Sequence, residues 1–273
     1  MDTQGTVRTI FGVERALIGV VHLLALPGTP RQESTVDQTV ERAVAEATEL
    51  SEAGFDGLII ENMHDRPYVR RSTGPEIVAA MTAAARSVGD AVDLPIGIQV
   101  LAGANRQALA VAHASGATFV RVEGFVFAHV ADEGIMEADA AELLRYRRAI
   151  GADDVRIFAD VKKKHSSHAV TADLNLVETA RAAEFFLADG VVVTGSTTAR
   201  PADPGEVEAV RAQVGIATLV GSGVDPTNVA EFARADGLIV GSSLKVDGLW
   251  SNPLDRGRLK AMVCAFHEVS TKA

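Results

Sequence analysis

The sequence predicts an α/β fold, a single (β/α)8 barrel, from three observations. Short apolar segments alternate eight times with amphipathic segments, as expected for parallel strands whose faces are covered by helices. The length of 273 residues is close to the roughly 250 that such a barrel needs. Two glycine-serine segments follow consecutive strands near the C-terminus. Eight units fit a closed barrel better than an open doubly wound sheet.

The predicted elements cover most of the chain. Strands are expected at residues 16–23, 57–62, 94–101, 118–123, 155–161, 190–194, 217–220 and 237–240. Helices are expected at residues 35–52, 75–88, 105–115, 137–150, 173–187, 203–214, 226–233 and 255–269. Residues 1–9 are predicted to form a short N-terminal extension of one domain that spans residues 1–273.

The two glycine-serine segments predict a phosphate site after strands seven and eight. The first contains Gly221, Ser222 and Gly223, and the second contains Gly241 and Ser242. Glycine lets backbone N–H groups approach an anion without a Cβ in the way, and barrels often bind phosphate at these two loops. The alternative is that both segments are ordinary tight turns.

Polar residues at the carboxyl ends of the other strands are expected to converge on the mouth of the barrel. Charged groups at the ends of apolar strands are costly unless they are paired or solvated, so each could also be a structural ion pair. The candidate catalytic residues are Asp160, Lys162, Glu61, His22 and Glu123. The candidate substrate-binding residues, besides the glycine-serine segments, are Asn62, Gln99, Arg121, Lys164, His165 and Thr194.

Asp160 and Lys162 form the sharpest local pattern. Residues two apart on a strand point to the same face, so the carboxylate can hold the lysine charged beside a substrate, as a general acid or an anion contact. The alternative is a solvated basic loop at residues 162–164. Glu61 and Asp160 are candidates for the general base, and His22 is a candidate acid/base partner because its free pKa is near neutrality.

No resident metal or other cofactor is predicted with certainty. Joint ligation of Mg²⁺ by Glu61 and Asp160 is the alternative to their acid/base role. His165 and His168 make a weak metal pair without a third ligand. The single cysteine, Cys264, has no partner for a disulfide and is predicted to be a small core residue.

Charge and hydropathy limit the partners. The formal net charge of −10 argues against nonspecific binding of nucleic acid, whose phosphates would be repelled. No uncharged apolar stretch of about 18 residues is present, so neither a membrane span nor a membrane partner is predicted. A cytoplasmic location is expected, and a homo-oligomer is the default expectation for a barrel of this kind.

The long connection at residues 123–134 is predicted to be a lid or a binding loop. Its Phe125 and Phe127 could cover a substrate ring or contribute to a dimer interface.

Several motifs resemble the BtpA/SgcQ family over roughly residues 8–269. They include Ile18-Gly19-Val20-Val21-His22-Leu23, Ile60-Glu61-Asn62-Met63-His64-Asp65, Ala159-Asp160-Val161-Lys162, Val193-Thr194-Gly195 and Gly221-Ser222-Gly223-Val224. Gln99-Val100-Leu101-Ala102-Gly103-Ala104-Asn105 and Glu123-Gly124-Phe125-Val126-Phe127 are similar to the branch that also occurs in animals. Photosynthetic members more often carry asparagine where this chain has Glu123.

The resemblance implies a barrel related to phosphate-binding enzymes, and it implies three different roles. The family name comes from photosystem I biogenesis in cyanobacteria, whereas other members are associated with sugar utilisation or carry a phosphoribosyltransferase label. The favoured hypothesis is an enzyme acting on a phosphorylated sugar or nucleotide-derived compound, by glycosyl or phosphoribosyl transfer or cleavage. The alternatives are a sugar-phosphate isomerase or lyase, and a non-catalytic assembly or ligand-sensing factor.

Overall fold

The computed structural model describes residues 3–195 and 201–270, and it contains a closed barrel of eight parallel strands. The barrel strands are β1 (Ala16–His22), β2 (Gly57–Glu61), β3 (Ile96–Gln99), β4 (Phe119–Val122), β5 (Arg156–Val161), β6 (Gly190–Val193), β7 (Ala217–Val220) and β8 (Gly237–Val240). Each pairs with its neighbour in chain order, and β1 pairs with β8 to close the barrel. The predicted fold class is therefore confirmed.

The helices begin and end close to the predicted positions, except that the predicted helix at 226–233 is missing and that α1 forms where only an N-terminal extension was predicted. They are α1 (Thr3–Phe11), α2 (Val36–Ala53), α3 (Pro75–Ala91), α4 (Asn105–Ser115), α5 (Ala140–Ala149), α6 (Leu176–Phe185), α7 (Pro204–Arg211) and α8 (Arg256–Ser270). The helix predicted at 226–233 is only a 3-10 turn, Val229–Phe232. Its expected first residues form a turn, in which the Asp225 carboxylate accepts hydrogen bonds from the N–H groups of Thr227 and Asn228.

The predicted N-terminal extension contributes to the base of the barrel. Helix α1 places Val7 and Phe11 against the interior, and both side chains are buried. The ring of Phe11 contacts that of Phe119, which in turn contacts Phe158, with 5.5 Å between ring centroids in each pair. The lower half of the barrel is therefore filled by side chains.

Small residues on the strands make room for these rings. A Cβ added to Gly97 would lie 2.1 Å from the Phe119 ring, and one added to Gly190 would lie 2.4 Å from the Phe158 ring. A second, larger core lies between the strands and the outer helices and includes Leu50. With the base filled, the carboxyl ends of the strands are the end of the barrel at which a ligand can enter.

A small antiparallel sheet, here called the lid sheet, lies beside the mouth. It consists of Gly134–Met136, His129–Ala131 and Ser166–Ser167, so it joins the connection after β4 to the connection after β5. Phe125 is buried in the core, which leaves it unable to cover a substrate, and Phe127 is partly exposed.

The single cysteine of the chain lies on the outer surface of the barrel. Cys264 is exposed on α8, so its predicted place in the core is wrong: its position on the helix faces outward. Across residues 3–195 and 201–270, every helix is too short or too polar to cross a membrane.

Candidate functional site

The register of the barrel strands brings the predicted strand-end residues to one level. His22 on β1 pairs with Glu61 on β2, and Glu61 pairs in turn with Gln99 on β3. Arg121 and Asp160 reach the same mouth from β4 and β5. All five side chains are buried, so their charges must be balanced within the site.

Arg121 is at the centre of this arrangement. Its Nε lies 2.8 Å from Asp160 Oδ1 and its Nη2 lies 3.1 Å from Asp160 Oδ2, while its Nη1 is 3.6 Å from Glu61 Oε1. Burial by itself lowers the pKa of Arg121, but the carboxylates of Asp160 and Glu61 outweigh burial and raise it. Arg121 is therefore a fixed cation in the mouth.

Glu123 is held in a separate ion pair. Its Oε2 accepts a hydrogen bond from Lys163 Nζ at 3.0 Å, and its Oε1 lies 3.4 Å from Gln99 Nε2. Burial lowers the pKa of Lys163, but Glu123 outweighs burial and the net effect is to raise it. Glu123 therefore positions Lys163 and Gln99, and Lys163 is a site residue that the sequence did not single out.

The predicted pairing of Asp160 with Lys162 is not what the structure shows. Strand β5 ends at Val161, and Lys162 has a φ of 47°, so the two-residue alternation of a strand stops there. Lys162 Nζ donates to the carbonyl of Leu174 in the following loop. Lys164 instead lines the mouth, and its backbone N–H donates to Thr194 Oγ1.

The first of two cavities in the mouth has a volume of about 250 Å³ and contains both glycine-serine segments. The lining residues that bear on chemistry are His22, Glu61, Arg121, Lys164, Gly221, Ser222, Gly223, Asp225, Gly241, Ser242 and Arg258. Three cations, Arg121, Lys164 and Arg258, thus face the same space as two carboxylates. Arg258 comes from α8 and has no sequence pattern that marks it.

The second cavity has a volume of about 330 Å³ and shares Glu61, Met63, Arg121 and Lys164 with the first. Its other lining residues include Arg66, Tyr68, Gln99, Leu101, Glu123, Asp132, Glu133, Lys163, His165 and Trp250. Asp132 and Glu133 belong to the hairpin of the lid sheet. The two cavities are therefore adjoining compartments of one mouth, with Glu61, Arg121 and Lys164 at their junction.

The pKa values of two residues at the junction are shifted toward each other. Burial raises the pKa of Glu61, against the opposing effect of Arg121. Burial, followed by repulsion from Arg121, lowers the pKa of the partly buried Lys164. Convergent shifts of an acid and a base in a cavity are typical of proton-transfer sites.

His22 does not titrate near neutrality in this structure. Its Nδ1 lies 3.0 Å from the carbonyl oxygen of Trp250, and since a carbonyl can only accept, Nδ1 carries the proton and Nε2 is an acceptor. Burial, and then the charge of Lys245, lower its pKa to about 3. The imidazole is therefore neutral, and its Nε2 lies 3.9 Å from Glu61 Oε2, so His22 could take up a proton only as a weak base.

Three other predicted residues lie at the edge of the site or support it. Asn62 is fully engaged, since its Oδ1 accepts from the N–H of Leu101 and its Nδ2 donates to Asp65. Its amide thus fixes two loops. Thr194 Oγ1 accepts a hydrogen bond from the backbone N–H of Lys164. His165 is one of the residues that line the second cavity.

The structure gives no support to joint binding of Mg²⁺ by Glu61 and Asp160, because both oxygens of Asp160 bind Arg121. Within the part of the chain that the structure describes, no three His, Cys, Asp or Glu side chains are placed to hold a metal ion.

Comparison with known proteins gives two kinds of similarity. The model of the BtpA family matches residues 13–268. The mitochondrial protein F13E9.13 of Caenorhabditis elegans is 44% identical over 265 residues, which cover 95% of this chain and 96% of that protein. The photosystem I biogenesis protein BtpA of Synechocystis sp. is 38% identical over 260 residues, covering 94% and 90% respectively.

Solved structures share the fold at low identity. The (S)-3-O-geranylgeranylglyceryl phosphate synthase of Thermoplasma acidophilum, in complex with sn-glycerol-1-phosphate, has a TM-score of 0.60 and 15% identity. The match covers 98% of this chain and 99% of that one. At this identity the likeness concerns the barrel alone.

Proposed function

The chain belongs to the BtpA family, and we propose that it is an enzyme acting on a phosphorylated sugar or nucleotide-derived compound. The observation that carries the proposal is the first cavity, where the loops after β7 and β8 face Arg121, Lys164 and Glu61. Loops suited to a phosphate group and a candidate acid/base residue thus line one small cavity.

The glycine-serine loops are suited to a phosphate group. Gly223 has a φ of 67°, a conformation that other residues rarely adopt. A Cβ at Gly221 would lie 3.0 Å from Arg121 Nη2, so glycine allows the guanidinium to approach the loop. Backbone N–H groups, serine hydroxyls and the cations Lys164 and Arg258 supply donors on several sides.

The junction residues supply the chemistry in this proposal. Glu61, with its raised pKa, takes or returns a proton. Lys164 and Arg121 stabilise negative charge that develops on the substrate. Asp160 acts on the substrate only through Arg121, so it is a positioning residue. These roles suit glycosyl or phosphoribosyl transfer or cleavage, in which a leaving group needs a proton and the phosphate anchors the sugar.

One observation favours a second candidate, a non-catalytic assembly factor: a relative that is 38% identical is named for photosystem I biogenesis. A scaffold gains nothing from burying four interacting charged groups, Glu61, Arg121, Glu123 and Asp160, because each costs solvation energy. The enzyme is therefore the better-supported candidate.

The proposal is tested by thermal unfolding of the protein with inorganic phosphate, ribose 5-phosphate and nucleoside 5′-monophosphates. A ligand at about 100 times its Kd stabilises the native state by about 2.7 kcal/mol, enough for a visible rise in Tm. Ser222→Asp should abolish the response by placing a carboxylate in the first cavity. Ser87→Asp, on the outer helix α3, adds the same charge elsewhere and should leave it intact. Absence of any response to phosphate compounds would contradict the proposal.

A further inference from the structure

The second cavity contains buried acceptor atoms that lack hydrogen bonds. Within the described residues, Glu61 Oε1, Gln99 Oε1 and Glu133 Oε2 are buried and have no hydrogen-bond partner. All three residues line this one cavity, and the side chains of Glu61 and Gln99 are more than nine-tenths buried. Because an unsatisfied buried acceptor is costly, each one calls for a donor that a ligand can bring.

The orientation of the Gln99 amide follows from its neighbour. Gln99 Nε2 donates to the Glu123 carboxylate, which can only accept while it is ionised. A flipped amide would place two oxygens against each other. The amide oxygen is therefore the atom left over, and it requires an N–H or O–H group from a ligand.

The charges of the second cavity differ from those of the first. Its lining carries four carboxylates, Glu61, Glu123, Asp132 and Glu133, and four cations, Arg66, Arg121, Lys163 and Lys164. A second phosphate would meet as many repelling as attracting groups. A neutral group with hydrogen-bond donors fits this balance better.

Part of the lining of the second cavity is apolar or aromatic. Met63, Tyr68, Leu101 and Trp250 form this part. The Tyr68 hydroxyl donates to the carbonyl of Met63, and the Trp250 ring contacts His64, with 4.8 Å between ring centroids. These contacts hold the two aromatic side chains in place, and fixed aromatic groups are good contact surfaces for a ring.

We infer that the second cavity binds a planar, uncharged ring bearing N–H or O–H donors, joined to the phosphorylated part of the substrate. The inference rests on the proposed function, since the phosphate in the first cavity defines where the ring must reach. Heterocycles of the nucleobase kind have this combination of an apolar face and a donor-bearing edge. The junction residue Glu61 would then lie beside the bond between ring and sugar.

The single tryptophan of the chain allows a direct test, because Trp250 lines the second cavity and not the first. Trp250 fluorescence and calorimetry are followed during titration with ribose 5-phosphate and with the 5′-monophosphates of adenosine, guanosine, cytidine and uridine. We expect at least one nucleotide to bind about 10-fold more tightly than ribose 5-phosphate and to quench the fluorescence saturably. Ribose 5-phosphate should bind without quenching.

Two variants separate this inference from the proposed function. Gln99→Leu should weaken the preferred nucleotide about 10-fold by removing the acceptor and should leave ribose 5-phosphate unchanged. Tyr68→Leu should also reduce the preference for the nucleotide over ribose 5-phosphate, although the Gln99 amide is unchanged in this variant. If ribose 5-phosphate binds but no nucleotide is preferred, or Gln99→Leu weakens both equally, the ring site is overturned and the proposed function stands. If no phosphorylated probe binds, or Ser222→Asp leaves binding of ribose 5-phosphate unchanged, the proposed function itself fails.

Discussion

Both carboxylate oxygens of Asp160 bind the guanidinium of Arg121, at 2.8 Å and 3.1 Å, and neither side chain is more than 5% exposed. Such a two-point contact fixes the plane of the guanidinium as well as its position. Asp160 therefore orients the cation that faces both cavities, while Asp160 itself lines neither of them.

Removing both partners of this pair should cost less than the sum of the two single removals. Asp160→Asn leaves a buried arginine with fewer counter-charges, and Arg121→Met leaves buried carboxylates without their cation, so each single variant should lose about 3 kcal/mol of unfolding free energy. The double variant should lose less than the two losses added together. Urea denaturation of the four proteins measures this coupling. Additive losses would show that the pair does not stabilise the fold as a unit.

Lys164 and Lys162 should differ sharply in their effect on ligand binding. Lys164 lines both cavities, so Lys164→Met should weaken ribose 5-phosphate about 30-fold by removing a charged hydrogen bond. Lys162→Met is the matched control, because Lys162 donates to the Leu174 carbonyl outside the two cavities. It should leave the Kd from calorimetry within about twofold. Equal losses in both variants would instead indicate a general effect of positive charge in this loop.

His22 should make the protein less stable at acidic pH. Its pKa is about 3 in the folded state and about 6.5 in the unfolded chain, so the unfolded chain takes up a proton that the folded state excludes. This contribution to stability is fully present above about pH 6.5 and is lost as the pH falls toward 3, by about 1.4 kcal/mol per pH unit.

The measurement is the slope of unfolding free energy against pH between 6 and 4. His22→Gln should flatten this slope relative to the unsubstituted protein, whatever its effect on stability at pH 7. His113→Gln provides the control, because His113 is exposed on α4. An unchanged slope in His22→Gln would mean that His22 is protonated in the folded state.

The barrel could be predicted from the sequence because hydrophobic periodicity records burial directly. Strands such as β6 and β8 are apolar throughout, since both of their faces are covered. The same reasoning located Glu61, Arg121 and Asp160, whose places at strand ends follow from the alternation of strand residues. Those positions depend only on local geometry.

The remaining parts of the site depend on loops, for which no such periodicity exists. Lys162 was misplaced because a single positive φ ends the strand pattern. Trp250 and Tyr68 come from separate connections and Arg258 comes from α8, and they reach the two cavities only in the folded chain. The lid sheet likewise pairs segments more than 30 residues apart. Sequence patterns within one segment could not reveal these contacts.

The approach of Gly221 to Arg121 gives a prediction in which no polar atom is removed. A Cβ on Gly221 would lie 2.5 Å from Val192 Cγ1 and 3.0 Å from Arg121 Nη2, so Gly221→Ala must displace the buried valine or the guanidinium. We expect a loss of about 1–3 kcal/mol of unfolding free energy, as for other overpacked sites, together with weaker binding of ribose 5-phosphate.

Gly89→Ala is the matched control for this substitution. Gly89 lies inside α3, and its added Cβ would be an ordinary 3.6 Å from Ile96 Cδ1. Alanine favours a helix over glycine by about 1 kcal/mol, so Gly89→Ala should raise the Tm and leave the Kd unchanged. Thermal unfolding and calorimetry on both variants check the pair of outcomes. If Gly221→Ala bound ribose 5-phosphate as tightly as the unsubstituted protein, the loop after β7 would not depend on its close contact with Arg121.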